Sequence, residues 1–483
     1  MRLLSDRSIR PARRETRRHV LSALCGLLVV TSCSGKDSVA PPPPSPVTVT
    51  SVAPGNGPPA GGTAVTITGT NFLNVTAVSV GGGALQSMSV VSSTQITGIT
   101  PVSGSRGAKH VVVSSSSNGS GTCSGCFTYT LPWTASLMTA GIYHSCGLAS
   151  SGTAYCWGGG IYGQLGNGAS NSSATLVAVS GTVTFASLTA GNGHTCGLTS
   201  GGVAYCWGDN AYGQLGDATT TQRTTPVAVA GGLTFASLSA GYHHTCGLTS
   251  GGVAYCWGRN SSAQLGTGTT TQSATPVAVT GGLTFASLTA SYWHTCGLTS
   301  AGSAYCWGFN DYGELGDGTT TTRTAPTAVA GGLTFASLAR SGTCGLTSTG
   351  AAYCWGYNEF GEVGDGTTTN RSSPVAVTGG HTFASLASRS VVTCGITSAG
   401  AAYCWGANDY GALGTGSVGP LANPAPRAVT GGLTFASLVA GEGHVCGLTS
   451  GGTVYCWGAN DKGQIGNTSI TTAEPAPVAV ESP

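Results

Sequence analysis

The sequence predicts an all-β protein in which a small β-sandwich precedes a seven-bladed β-propeller. Three observations predict it. Charged residues are too scarce for surface helices, one unit of about fifty residues recurs seven times, and each unit carries four short apolar-alternating segments. Lys and Arg number 18 and Asp and Glu 16 among 483 residues, or 7% charged, against about 25% in an ordinary soluble domain. Helices expose Lys, Glu and Arg on their outer face, and the chain has only three Lys. Coiled coils and helical bundles are excluded. Electrostatic nucleic-acid binding, which needs clustered basic residues, is excluded too. The 79 glycines and 40% apolar content suit a turn-rich β-protein with a sizeable core.

Residues 1–32 read as a signal peptide. Seven arginines fall before residue 19, and an apolar run from Val20 to Val30 follows, too short for a membrane span. From residue 33 onward 11 basic residues face 14 acidic ones, leaving −3. Val30-Thr31-Ser32-Cys33 resembles a bacterial lipobox, which implies a lipid on Cys33, and Ser34 after it implies outer-membrane sorting. Thr16-Arg17-Arg18-His19-Val20-Leu21 looks like a twin-arginine signal. Residues 33–46 form a linker whose Pro41–Pro46 run is a stiff polyproline II spacer.

Residues 47–131 alternate β-branched and polar positions between Gly and Pro turns, as short sandwich strands do. Ser51-Val52-Ala53-Pro54, Gly61-Gly62-Thr63, Val65 to Phe72, Val78-Ser79-Val80-Gly81 and Gln95-Ile96-Thr97 resemble the IPT/TIG family of immunoglobulin-like domains. That resemblance implies a spacer or interaction module and no chemistry. Cys123 and Cys126 form a lone CxxC; zinc or redox use needs partners that are not there, so a local disulfide is expected.

Residues 132–483 hold the repeats. Tyr-Cys-Trp-Gly recurs with Trp at 157, 207, 257, 307, 355, 405 and 457. Each unit gives four strands, A to D, which in the second unit are FASLTA, HTCGLT, VAYCW and PVAV. The Gly-x-x-His before the hairpin, the Trp-Gly-x-Asn after it and the Gly-Gln-Leu-Gly segment resemble the RCC1 family of seven-bladed propellers. All seven units contain all four strands, so none is spare for closing the ring.

Fourteen cysteines form seven C-x9-C pairs: Cys146 and Cys156, Cys196 and Cys206, Cys246 and Cys256, Cys296 and Cys306, Cys344 and Cys354, Cys394 and Cys404, Cys446 and Cys456. A B–C hairpin centred on Gly201 sets Cys196 opposite Cys206 at disulfide spacing, Gly197 opposite Tyr205 and Thr195 opposite Trp207. Tyr205 is expected to cover Gly197, and the Tyr205–Trp207 face to pack on a neighbouring blade. A zinc site is the competing reading, because His144, His194, His244, His294 and His444 precede their cysteines by two. Units five and six have Gly342 and Val392 there yet keep both cysteines, so disulfides are expected and no metal or other cofactor. Paired cysteines imply an oxidising compartment.

No catalytic constellation is visible, and the chain reads as a non-enzyme. Asp217, Asp317 and Asp365 sit in GDGTTT-like loops, one carboxylate each where calcium wants several. Binding is better supported. In an up-and-down blade the A–B and C–D loops share one face, and these loops vary while the B–C and D–A turns hardly change. The varying positions include Tyr143, Asp209, Tyr242, His243, Arg259, Tyr292, Trp293, Phe309 and Tyr357, a composition typical of recognition surfaces. The expectation is an exported surface protein, anchored to the membrane by lipid, whose propeller face binds a protein or glycan and no nucleic acid. A structural spacer is the first alternative. Guanine-nucleotide exchange on a small GTPase, implied by the family resemblance, is the second, and export argues against it.

Overall fold

The computed structural model describes residues 44–57, 61–103, 107–129, 133–468 and 472–482. The signal segment, Cys33 and the first half of the proline run lie outside them. Every named element among the described residues is a strand.

The sandwich has a sheet of four strands, Thr48–Ala53, Ala64–Thr70, Gln95–Ile99 and Gln86–Ser92 in that spatial order, facing a second sheet dominated by Gly107–Ser115 and Gly119–Tyr129. Alternation does the folding: in Ala64–Thr70 the inward residues Val65, Ile67 and Gly69 are buried while their neighbours are not. Ile67, Ile96, Val111, Val113 and Phe127 fill the core between the sheets. Cys123 and Cys126 are joined on Gly119–Tyr129.

Seven four-stranded antiparallel sheets follow, each made of consecutive strands. Blade 2 is representative: A is Ser187–Ala190, B His194–Leu198, C Ala204–Gly208 and D Arg223–Ala228. Its register sets Cys196 opposite Cys206, Thr195 opposite Trp207 and Gly197 opposite Tyr205. All seven cysteine pairs are joined, with Cα atoms 4.0–4.1 Å apart. One packing detail differs from expectation. The ring lying over Gly197 is Phe185, from the segment leading into strand A, and Tyr205 meets Phe185 edge-on at 6.3 Å. A strand side chain stands perpendicular to its sheet, so Tyr205 cannot fold back over its own cross-strand partner when Phe185 already occupies that space.

Six of the seven blades bury their tryptophan in one cluster with the disulfide of the blade before. Trp207 shares a buried cluster with Cys146, Cys156, Leu165 and Phe185. Its Nε1–H donates to Gln164 O at 2.9 Å, and Thr195 Oγ1 donates to the same carbonyl at 2.9 Å. His144 of blade 1 meets Thr195 Oγ1 through Nε2 at 2.9 Å, completing a three-part junction. Only glycine fits beside the indole: at Gly216, with φ +71°, a Cβ would fall 2.7 Å from Trp257 Nε1. The same junction recurs where blade 7 meets blade 1. Trp157 donates to Gln464 O at 2.9 Å and Ser145 lies 2.9 Å from His444 Nε2.

The ring therefore closes edge to edge, with no strand exchanged among the described residues. Trp133 takes the place Phe185 holds in blade 2, meeting Trp157 at 5.6 Å, and Ala135 N–H bonds the B–C turn of blade 7 at Gly452 O. Two arginines cross the central channel. Arg340 of blade 5 donates to Thr139 Oγ1, Thr189 Oγ1 and Ala190 O at 2.7–2.8 Å, and Arg389 of blade 6 donates to Ala140 O and Ala190 O at 2.9–3.0 Å. Burial, then repulsion from Arg389, pulls the Arg340 guanidinium down to about 9.

Candidate binding face

The C–D loop is built around one asparagine. In blade 2 Asn210 Oδ1 accepts from Leu215 N–H while its amide donates to Thr219 O and Thr221 O, all within 2.9–3.1 Å. This explains the recurrent Trp-Gly-x-Asn: a buried amide replaces the ladder bonds that a loop lacks. The loop is tied to the A–B loop beside it by Asp209 N–H to Gly193 O at 2.7 Å. The two variable loops of each blade consequently form one surface.

On that surface aromatic rings run continuously from blade 2 to blade 5. Tyr212 meets His243 at 5.0 Å, His243 meets Tyr242 at 4.4 Å, and Tyr242 meets Tyr292 at 4.8 Å. Tyr292 meets Trp293 at 5.9 Å, Trp293 meets Phe309 at 5.4 Å, and Phe309 meets Tyr312 at 6.2 Å. Tyr312 then meets Tyr357 at 5.2 Å and Tyr357 meets Phe360 at 6.2 Å. Arg259 lies over Tyr212, 5.2 Å from its centroid, and His243 Nδ1 sits 3.4 Å from the Asp209 carboxylate. Burial raises the Asp209 carboxyl, but hydrogen bonds from His243 and Ala211 outweigh it and hold it below the usual range.

Eight of the nine sequence-derived face residues thus lie in or against one run. Tyr143 stands apart, in a second hollow of about 340 Å³ shared with Asp409, Tyr410, Glu442 and Asp461. Tyr292 also bonds across the channel, its hydroxyl donating to Glu442 at 2.8 Å, and burial pushes that hydroxyl far above its ordinary value. Asp217, Asp317 and Asp365 hold their own turns: each accepts from a threonine two residues on and from the guanidinium of Arg223, Arg323 or Arg371. Among the described residues no group of three or more His, Cys, Asp or Glu is close enough to hold a metal.

A pocket of about 330 Å³ opens within the run, between blades 4, 5 and 6. Its origin is a shortening. From Phe285 to Cys296 blade 4 takes eleven steps along the chain, and from Phe335 to Cys344 blade 5 takes nine. Blade 5 makes a tight turn at Gly342, φ +72°, where blades 1 to 4 and 7 project a loop and a histidine. That leaves His294 Nε2 without the hydroxyl partner its counterparts have. Glu362 Oε1 and Trp293 Nε1 in the same pocket are also buried and unpartnered. Glu314 and Glu362 stand where blades 1, 2, 3 and 7 have Gln164, Gln214, Gln264 and Gln464. Burial pushes both carboxyls up to about 7 and pushes His294 down to about 4.

Sequence reasoning missed Tyr212, Tyr312, Phe360 and the two glutamates. A signal existed for each. An aromatic recurs five residues after the Trp in five units, and Gly-Gln-Leu-Gly becomes Gly-Glu-Leu-Gly and Gly-Glu-Val-Gly in units four and five only.

Residues 151–198, 201–248, 251–298, 301–343, 399–448 and 451–483 match the model of the Regulator of chromosome condensation (RCC1) repeat, and a second model of that repeat matches from residue 137. Residues 46–131 match the IPT/TIG domain. No curated protein sequence matches the chain. Human WBSCR16 is similar in structure, with TM-score 0.62 and 20% identity over 68% of this chain and 95% of that one. Yeast RCC1 (Prp20) with Kap60 bound gives 0.62 and 19% over 72% and 85%. Prp20p from Saccharomyces cerevisiae, described with its binding to Gsp1p and histones, gives 0.61 and 21% over 71% and 88%. At these identities the likeness concerns the fold.

Proposed function

The chain belongs to the Regulator of chromosome condensation (RCC1) repeat family and carries an IPT/TIG domain ahead of its propeller, and from that premise we propose that it is an exported, lipid-anchored surface protein whose loop face recognises a partner protein. The observation that carries the reading is the continuous aromatic run. Eight rings and one imidazole on loops of a rigid scaffold supply large contact area at low entropic cost, which is how binding hot spots are made. Prp20, similar in fold, is described with Kap60 bound and with its binding to Gsp1p and histones, which supports a protein ligand over a glycan. The run is half-buried by its own neighbours, so the free protein already holds it in the binding arrangement and little ordering is needed on association.

Export rests on the signal segment and on the blade disulfides, which suit an oxidising compartment. Anchoring rests on Cys33. Labelling cells with a radioactive fatty acid tests it: the label should follow the chain and vanish with Cys33→Ala.

Recognition is tested by capture from envelope extract with the chain lacking residues 1–32. The comparison is the same chain carrying Tyr242→Ala, Trp293→Ala, Phe309→Ala and Tyr357→Ala, checked for an unchanged melting temperature. A protein held by the first and lost by the second is the expected result. Equal capture by both would leave a spacer as the better account.

A further inference from the structure

The pocket between blades 4, 5 and 6 has a chemistry that general protein recognition does not require. Trp293, Phe309, Tyr312 and Tyr357 line it, and so do Glu314 and Glu362. None of the residues lining it is Lys or Arg. From these walls we propose that the pocket is a binding site for an alkylammonium group, carried either by a free amine or by a lysine side chain of the partner.

Three features of the pocket converge on a cation. First, the change from Gln to Glu reverses the hydrogen-bonding need of the position. In blades 2 and 7 the glutamine oxygen accepts from the backbone, Tyr212 N–H or Lys462 N–H, while the amide donates to Asp209 or Asp461. Glu314 and Glu362 keep the first contact, accepting from Tyr312 N–H and Phe360 N–H at 3.0 Å. The second group becomes an oxygen, and Glu362 Oε1 is buried with nothing donating to it. A buried carboxylate oxygen needs a proton or a cation, and no group of the pocket wall bonds this one. Burial already lifts both carboxyls to about 7, which an incoming positive charge would reverse.

Second, aromatic side chains line the pocket together with the carboxyls, and ring quadrupoles attract an ammonium or quaternary ammonium group once it is out of water. Third, the space is of the right size and depth. About 330 Å³ falls at the small end of ligand pockets. A metal ion is the wrong occupant, because no set of three acidic, histidine or cysteine ligands assembles among the described residues. Where the ammonium arrives on a partner's lysine, the inference rests on the recognition face; where it arrives on a free amine, it stands alone.

The test uses the chain lacking residues 1–32 and titrates it at pH 7.5 by calorimetry and by Trp fluorescence. The probes are choline, N-acetyl-lysine methylamide and the uncharged choline isostere 3,3-dimethylbutan-1-ol. Glu314→Gln/Glu362→Gln is the variant, and it installs the residues that four other blades already carry, so folding is retained. Binding of choline, or of the lysine amide alone, is expected, at least tenfold weaker in the variant and at least tenfold weaker for the alcohol. The first outcome points to a free amine and the second to a lysine. Equal binding of the alcohol, equal binding by the variant, or no binding of either cation overturns the proposal. A variant that still captures the partner protein while losing the amine would remove nothing from the recognition face, so the two readings fail separately.

Discussion

Acid should unfold the propeller in the mildly acid range, and the cause is the inter-blade histidine. His144, His194, His244 and His444 each meet a hydroxyl of the next blade through Nε2, at 2.9–3.0 Å. That hydroxyl's own proton is committed to a backbone carbonyl: Thr195 to Gln164, Thr245 to Gln214, Thr295 to Gln264 and Ser145 to Gln464. The hydroxyl can only accept, so Nε2 carries the imidazole proton and Nδ1 is bare. In all four residues Nδ1 is buried with no partner. A second proton would place an N–H in a dry interior with nothing to receive it, and burial accordingly pulls His194, His244 and His444 down to about 3 and His144 well below its ordinary value.

An unfolded histidine titrates near 6.5. Its folded value is depressed, so the stability is fully present above about pH 6.5 and drains away as pH falls toward the folded value. Each such histidine costs about 1.4 kcal/mol per pH unit in that window, and His294, pulled down to about 4, adds a fifth. Glu314 and Glu362, pushed up to about 7, take their protons more readily in the fold and offset two, so the net loss is about 4 kcal/mol per unit, close to the whole stability of a marginal domain. Guanidinium unfolding followed by Trp fluorescence at pH 7.5, 6.5, 5.5 and 4.5 measures the slope. His244→Gln keeps a donor toward Thr295 without titrating and should lower the slope by about 1.4 kcal/mol per unit. A free energy of unfolding that is flat from pH 7.5 to 5, or a His244→Gln slope equal to the native one, would refute the argument.

Two further outcomes follow from the packing. The seven blade disulfides are buried, six of the pairs fully and Cys344 to within 2% exposure, whereas Cys123 and Cys126 are part-exposed; mass spectrometry after reductant and alkylation without denaturant should therefore find Cys123 and Cys126 labelled and the blade pairs intact. In denaturant each opened pair releases a loop worth about 2–3 kcal/mol in the chain-entropy model, so refolding in reductant should fail, and recovery of the native melt under those conditions would contradict it. Trp257→Phe removes an indole donor 3.0 Å from Gln214 O and some volume from a fully buried site, so chemical denaturation should register a loss of about 2 kcal/mol, and a loss below about 0.5 would deny the junction its role.

Much of the blade was legible because repetition makes each copy a control for the others. A symmetric hairpin around Gly201 sets the Cys196–Cys206 register, and loss of the histidine at Gly342 and Val392 separates cysteine from histidine. What stayed hidden depends on contacts between units. Phe185 reaches Gly197 from a connecting segment outside the hairpin, so no pairing rule announces it. The arginines at 340 and 389 look like isolated surface charges until the ring brings Thr139 and Thr189 to the first and the carbonyls of Ala140 and Ala190 to the second. The pocket needed two small departures read together, a unit two residues short and a Gln turned Glu, and either alone looks like drift.

The edge-to-edge closure has a consequence for how the blades are joined along the chain. Trp133 N–H lies 2.9 Å from Val480 O, so the first and last residues of the ring are already neighbours. Among the described residues no blade borrows a strand, and the Gly231-Gly232 turn between blades 2 and 3 has open space around both residues. The blade at which the chain enters is therefore incidental to the wheel the seven form. A chain begun at blade 3, with 480 spliced to 133, would present the same aromatic face, and the sandwich marks one seam among seven interchangeable places to enter the circle.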